Sequence, residues 1–161
     1  RMGQVLFYQL SLSPLEALVG TLAERALAQG WRVELRGVAR ARMEWLDTRL
    51  WLGAEASFLA HGLAGGPQDA AQPLLLTHPA APAAPGNAHH ALMAIDGAEV
   101  DPVEVAALER VWVIFDGLSP EPLEHARAQW RTLTAANLAA QYWSEAGGRW
   151  EKKAEREAPS P

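Results

Sequence analysis

Three residues in the last third of the chain combine positive charge with an aromatic ring. Arg127, Trp130 and Arg131 have the spacing i, i+3, i+4, which places them on one face of a helix. A guanidinium can bind a carboxylate through two parallel hydrogen bonds, and an indole can cover an apolar side chain. The spacing predicts a site for a peptide that is both acidic and hydrophobic, or for a C-terminal carboxylate. The alternative is that Trp130 packs on a sheet while the arginines are solvated.

A second group of large apolar residues lies between positions 46 and 58. Trp51 ends the segment LDTRLW, residues 46–51, and Phe58 follows shortly after it. If Trp51 and Phe58 are exposed together, they form an apolar patch of the kind found at protein interfaces. Packing of both rings in the core is the alternative.

Two further segments could carry chemistry. His61–Gly66 is similar to the oxyanion-hole loop of hydrolases, but such an enzyme also needs a serine on a Gly-x-Ser-x-Gly turn, and no serine here has that context. A small α/β hydrolase using this loop is therefore a second hypothesis, with a simple glycine-bearing turn as its alternative. His89 and His90 are adjacent, so on a strand they point to opposite faces and cannot both ligate one ion. We expect no metal site and no cofactor.

The first third of the chain alternates strands and helices. The pattern predicts a strand over 4–10, a helix from Ser13 to about 29, a strand over 31–36 and a helix over 39–52. Ser13 has the position of a helix cap, with Glu16 completing a capping box. This order is typical of a parallel sheet with crossover helices. The turn after the first strand, SLSP at 11–14, lacks the glycines of a dinucleotide site, so we expect no bound nucleotide.

The later elements are predicted from the pattern of apolar residues and from the glycines and prolines that interrupt it. Strands are expected over 72–77, 89–95 and 109–116; the last has two apolar faces and should be central in the sheet. The final helix is expected from Pro120 to about 146, ended by Gly147 and Gly148. We predict a single α/β domain over residues 1–150, followed by a charged, disordered tail over 151–161.

Composition excludes several classes of protein. The chain has 161 residues, 49% of them apolar, and a net charge of −5. It has no cysteine, which excludes a disulfide scaffold, a Cys-ligated zinc or iron–sulfur site and a thiol nucleophile. The absence of cysteine, of a long apolar run and of a signal peptide leads us to expect a cytoplasmic protein without membrane contact.

The charge is unevenly distributed. Residues 1–126 carry 8 Lys and Arg against 15 Asp and Glu, whereas residues 127–161 carry 6 against 4. A protein that binds the phosphates of DNA usually has an excess of Lys and Arg over Asp and Glu, so direct DNA binding is disfavoured for this chain. The basic segment, residues 127–161, is where we expect an acidic partner to bind.

The ordered set of these segments resembles the chi subunit of bacterial DNA polymerase III holoenzyme, an accessory protein of the clamp loader. The similarity runs from about residue 4 to about 150. Its most specific part is Leu-Asp-x-x-Leu-Trp at 46–51 followed by Ser-Phe-x-x-His at 57–61. The other matching segments are FYQL at 7–10, WRV at 31–33, QP at 72–73, FD at 115–116, AR at 126–127 and WR at 130–131.

The resemblance implies a Rossmann-like, three-layer α/β fold with a mostly parallel sheet, no nucleotide site and no catalysis. It implies that the protein binds the acidic C-terminal tail of single-stranded-DNA-binding protein, which ends in Pro-Phe with a free carboxylate. The tail-binding arginine of the family falls on Arg127, its aromatic neighbour on Trp130 and a basic position on Arg131. Contact with the psi subunit, or with a repair helicase, falls near Trp51 and Phe58. Contact with DNA would be indirect.

Two positions depart from the family pattern. An apolar position of the tail pocket falls on Asp116 or Gly117, and a basic position one turn before Arg127 falls on Leu123 or Glu124. Both changes weaken the expected attraction to an acidic tail. A pure structural scaffold, with both aromatic patches buried, is the third hypothesis.

Overall fold

The computed structural model describes residues 3–52, 59–81 and 86–159. The strands are β1 (Gln4–Leu10), β2 (Val33–Arg36), β3 (His61–Leu63), β4 (Leu74–Thr77), β5 (Ala91–Ile95), β6 (Arg110–Asp116), β7 (Ala139–Ser144) and β8 (Glu151–Arg156). The helices are α1 (Leu15–Ala28), α2 (Arg40–Trp51), α3 (Pro102–Ala107) and α4 (Pro120–Ala135), with a 3₁₀ turn at Asp69–Ala71. No helix within the described residues is long and apolar enough to span a membrane.

The strands form one eight-stranded sheet in the order β3-β4-β2-β5-β6-β1-β7-β8. β1 pairs in parallel with β6 and β7, and β4 pairs in parallel with β2 and β3, whereas β8 runs antiparallel to β7. The predicted three-layer α/β class with a mostly parallel sheet is confirmed. β6 is an interior strand, as its two apolar faces predicted.

The described residues fall into two compact units. One combines the chain up to residue 13 with the chain from residue 94 onward, and the other comprises residues 14–93. In the first unit, Phe7, Ile114 and Leu133 are among the fully buried side chains, and α4 packs on β6 and β7. In the second unit, Met43 and Leu46 of α2 are fully buried, and α2 packs on β3 and β4.

The last helix ends eleven residues before the predicted position, so the prediction of a helix to about 146 is wrong. The chain leaves α4 at Ala136, and Asn137 adopts a left-handed backbone conformation with φ of 64°. The N–H of Asn137 donates to the Thr134 carbonyl at 3.0 Å, which is one of the bonds that close a helix C-terminus. The residues after this stop form β7, because pairing with β1 outweighs the helical propensity of an alanine-rich segment.

The predicted disordered tail also differs from the structure. Residues 151–156 form β8, whose register pairs Ser144 with Glu151 and Ala140 with Arg156. A segment this polar can form a strand because β8 is at the edge of the sheet and its side chains are almost all exposed, and its charges also oppose pairing with other chains. Whether residues 1–150 behave as a single domain stays a prediction.

The turn between β1 and α1 binds a side chain from the other end of the chain. Glu145, only 4% exposed, accepts N–H hydrogen bonds from Ser11 at 3.0 Å, Leu12 at 2.9 Å and Ser13 at 2.7 Å. The Ser13 hydroxyl donates to its second carboxylate oxygen at 2.7 Å. The predicted cap is therefore wrong: Pro14 is the N-cap residue of α1, with no side-chain cap hydrogen bond, and the Ser13 hydroxyl is used for Glu145.

These hydrogen bonds determine the ionisation of Glu145. Burial raises its pKa, but the Ser13 hydroxyl and the three backbone amides outweigh burial and lower the pKa from 4.5 to about 2. A carboxyl whose pKa is lower in the folded chain stabilises the fold above its unfolded pKa. That stabilisation, ~3 kcal/mol by proton linkage, is lost as the pH falls from about 4.5 to about 2.

We therefore expect Glu145→Gln to lower the free energy of unfolding by ~2–3 kcal/mol at neutral pH. The difference from the wild type should vanish as the pH approaches about 2. Urea unfolding across this pH range measures both effects. Glu24→Gln, which changes the same charge on an exposed face of α1, is the control. Equal stability of the two variants at neutral pH would contradict the assignment.

Candidate functional site

α4 positions the first candidate site by burying one face and exposing the other. Ala126, Gln129, Leu133 and Thr134 are the buried residues of the helix, and α4 packs on β6 and β7. Because Arg127 and Arg131 lie off this buried face, both are exposed, while Trp130 lies at the boundary and is half-buried. Within the described residues, neither guanidinium forms an ion pair. The structure thus brings the three predicted residues together on one helix face.

Trp130 is supported by rings of the sheet. Its ring lies edge-on to Phe7 at a centroid distance of 5.5 Å and edge-on to Tyr142 at 5.9 Å. Phe7 and Tyr142 are register partners on β1 and β7, so their rings stack at 6.2 Å. These contacts hold the indole in one orientation on the sheet. Trp130 thus packs on the sheet while both arginines stay at the surface, as the structural alternative describes, and the binding of a peptide at this face stays a prediction.

Tyr142 is a residue of this site that the sequence analysis missed. Its hydroxyl donates to the side-chain oxygen of Gln9 at 2.6 Å. Burial raises the pKa of Tyr142, and the positive charge of Arg127 opposes this shift. The phenol and the guanidinium therefore interact electrostatically. The signal that could have found Tyr142 is the sequence after Asn137, where Ala140, Tyr142 and Ser144 alternate as in a strand.

The second candidate patch is described only in part, because Phe58 lies outside the described residues. Trp51, at the end of α2, is 50% exposed, and its ring lies 4.1 Å from the ring of His61. His61 is buried, with Nδ1 at 2.7 Å from the Leu59 carbonyl oxygen and Nε2 at 3.0 Å from the Asp47 carbonyl oxygen. Burial raises the pKa of Asp47, and His61 opposes the rise. Trp51 thus has a half-exposed indole that contacts the buried ring of His61.

In the segment His61–Gly66, the groups that a hydrolase would use already contact other groups of the chain. Both ring nitrogens of His61 face backbone carbonyl oxygens of the chain. The N–H groups of Gly65 and Gly66 donate to the Asp69 carboxylate at 2.9 and 3.0 Å. Amides bound to a carboxylate cannot also stabilise an oxyanion. These contacts favour the glycine-bearing turn over a hydrolase loop.

His89 and His90 contact different groups. His89 Nε2 lies 3.4 Å from the buried carboxylate of Glu34, and the Nδ1 of His90 accepts the Arg32 N–H at 2.9 Å. Each imidazole therefore interacts with groups of the protein. Within the described residues, no cluster of three His, Asp or Glu side chains could hold a metal ion.

Comparison with known families shows which family the chain belongs to. The family model described as DNA polymerase III chi subunit, HolC, matches residues 2–141. The chain belongs to the chi-subunit family. A search of the curated proteins finds no match. Chi is an accessory, non-catalytic subunit of the polymerase, so the family supports an accessory role in DNA replication.

The chi match covers most of the candidate residues but not all of the site. Arg127, Trp130 and Arg131 lie within the matched residues, as does Trp51. The match ends one residue before Tyr142, and Glu145 is also beyond it. The stacking of Tyr142 on Phe7 is therefore an observation made on this chain, independent of the family pattern.

The departure from the chi pattern at Asp116 or Gly117 has a local explanation. Asp116 accepts the Leu118 N–H at 2.9 Å and the Ser119 hydroxyl at 2.8 Å, and these hydrogen bonds lower its pKa. Its carboxylate thus orders the turn that precedes α4. Gly117 lies against Gln9, where a Cβ atom would overlap the Gln9 side chain, so only glycine fits there. Glu124 is exposed on α4.

The electrostatic contact between Arg127 and Tyr142 can be measured directly. The chain has two tyrosines, so a Tyr8→Phe background leaves Tyr142 as the only titrating phenol. Because Arg127 lowers the pKa of Tyr142, we expect Arg127→Ala to raise it further. Ultraviolet absorbance of tyrosinate during an alkaline titration gives the pKa. Arg131→Ala is the control, and an equal shift in both variants would show that the effect is not specific to Arg127.

Proposed function

We propose that this chi-family protein is a non-catalytic adaptor in replication. The surface of Arg127, Trp130 and Arg131 binds the acidic C-terminal tail of single-stranded-DNA-binding protein. A second surface that includes Trp51 and Phe58 contacts the psi subunit, or an equivalent clamp-loader or helicase partner. The adaptor acts in the cytoplasm and reaches DNA only through these proteins.

One observation carries this proposal: two exposed guanidiniums share a face of α4 with an indole that Phe7 and Tyr142 hold in place. A free C-terminal carboxylate offers two oxygens to an arginine, and a terminal phenylalanine can pack on the exposed part of Trp130. The rigid indole lowers the entropy cost of binding, since it is already oriented in the free protein.

The charge distribution also supports a peptide rather than DNA as the direct ligand. A chain of net charge −5 repels a polyanion, whereas a short acidic peptide interacts mainly with charges within a Debye length of ~8 Å at physiological salt. The exposed carboxylate of Glu124, on the same helix, reduces the attraction. We therefore expect binding that is specific but weak, and that weakens further as salt is added.

The test is a fluorescence-anisotropy titration with a labelled peptide, Asp-Asp-Asp-Ile-Pro-Phe with a free C-terminus. Arg127→Ala should lose ~1.5–3 kcal/mol of binding free energy, the range for a hydrogen bond to a charged group. Amidation of the C-terminus should weaken binding to the wild-type protein. Arg25→Ala, which removes an exposed arginine of α1, is the matched control. Tail affinity unchanged by Arg127→Ala would remove this residue from the site.

The second surface is tested with the purified psi subunit. Trp51→Ala should weaken the complex at least about tenfold, because half-exposed tryptophans are typical of interface hot spots, and should leave tail binding unchanged. Val103→Ala, which removes an exposed apolar side chain of α3, is the control. Loss of psi binding together with tail binding would indicate misfolding, and full retention of psi binding would exclude Trp51 from the interface.

A further inference from the structure

The two arginines proposed to bind the tail lie on the side of α4 that faces β7. Trp130, which shares their helix face, contacts the ring of Tyr142 on β7 at a centroid distance of 5.9 Å. The other side of the helix faces the chain after β5, where the Gln129 side-chain amide donates to the Ala98 carbonyl at 3.3 Å. Because these strands have the order β5-β6-β1-β7-β8, the arginines are on the side of α4 nearer to β8.

β8 extends the sheet beyond β6 and β7, the strands on which α4 packs. Residues directly opposite each other in an antiparallel pair have their side chains on the same face of the sheet. Ala154 is opposite Tyr142, and Arg156 is opposite Ala140. Since Tyr142 contacts Trp130, the side chain of Arg156 is on the face that α4 covers. Ala154 and Arg156 are both exposed, so the helix leaves this part of the face open.

Arg156 supplies a positive charge at the edge of the sheet. Its guanidinium forms no ion pair with any group that the structure describes. Glu155 is opposite Gln141, on the other face of the sheet, and accepts a hydrogen bond from Lys152 at 2.8 Å. Glu157, exposed just beyond the strand, lowers the local positive charge. We therefore expect Arg156 to attract an acidic ligand less strongly than a site without this carboxylate would.

The charges around α4 favour one direction for a bound tail. An extended peptide advances ~3.3 Å per residue, so aspartates three to five residues before a C-terminal phenylalanine lie ~10–17 Å from it. If Arg127 binds the free carboxylate, a tail that runs toward the N-terminus of α4 meets the exposed carboxylates of Glu121 and Glu124. A tail that runs toward β8 meets Arg131 and Arg156 instead.

We propose that β8 completes the tail-binding site, with Arg156 binding the aspartate carboxylates of the acidic tail. The tail lies extended across β7, from the arginines of α4 to the edge of the sheet, and the small side chain of Ala154 leaves room for it. This inference rests on the proposed function of the α4 surface. β8 lies outside the residues that the chi model matches, so the family pattern does not assign this role.

The test compares two labelled peptides with free C-termini, Asp-Asp-Asp-Ile-Pro-Phe and Asn-Asn-Asn-Ile-Pro-Phe, by fluorescence anisotropy at low salt. We expect Arg156→Gln to weaken binding of the Asp peptide about two- to fivefold, the range for an exposed ion pair. Binding of the Asn peptide should be unchanged, which also shows that the variant is folded. Arg156→Lys keeps the charge and should retain most of the affinity. Lys152→Gln, the same charge change on the opposite face of β8, is the matched control.

The outcomes separate this inference from the function of α4. Equal weakening by Arg156→Gln and Lys152→Gln, or an equal loss for both peptides, would overturn the role of Arg156 while the effect of Arg127→Ala stands. Conversely, if Arg127→Ala leaves affinity unchanged and Arg156→Gln lowers it for the Asp peptide alone, the carboxylate site on α4 fails and the role of β8 is supported. No binding of either peptide to the wild-type chain would overturn both proposals.

Discussion

The carboxylate of Glu145 fixes how the chain leaves β1. Three consecutive amides of the turn at 11–13 converge on it, and a convergent set of backbone N–H groups is the device by which α/β proteins bind phosphates. In this protein the anion is supplied by residue 145, directly after β7. The turn therefore joins the ends of β1 and β7 and has no amides left for a nucleotide. This interaction accounts for a parallel α/β sheet whose first turn binds a carboxylate of its own chain where others bind a phosphate.

The sheet matters for the surface of Arg127, Trp130 and Arg131, because the position of Trp130 depends on the register of β1 and β7. Phe7 and Tyr142 face each other only in this register, and together they hold Trp130. A shift of one residue would turn Tyr142 to the opposite face of the sheet. The orientation of the Trp130 indole is therefore a property of strand pairing as much as of helical spacing.

This dependence explains which parts could be predicted from the sequence. Local periodicity, which a single sequence contains, predicts the order of strands and helices up to residue 52. It also predicts the face shared by Arg127, Trp130 and Arg131. It does not predict the end of α4, the strands β7 and β8 or the role of Tyr142. β7 depends on pairing with β1, more than 130 residues away, as in the hydrogen bond from Tyr142 to Gln9, and β8 in turn pairs with β7. In the alanine-rich segment after Leu133, local propensity favours a helix, and only the left-handed Asn137 marks its end.

The charge distribution of the chain favours some partners over others by the length of the partner as well as by the sign of its charge. A long polyanion samples the whole surface and meets its net charge of −5, whereas a short acidic peptide meets only the charges around its own footprint. The exposed arginines of α4, Arg127 and Arg131, suit the second case, because a guanidinium can bind a carboxylate through two parallel hydrogen bonds. A negatively charged protein can therefore present cationic surfaces without binding DNA directly. For an adaptor this is the useful property, since it would contact a DNA-binding partner without competing with that partner for the strand.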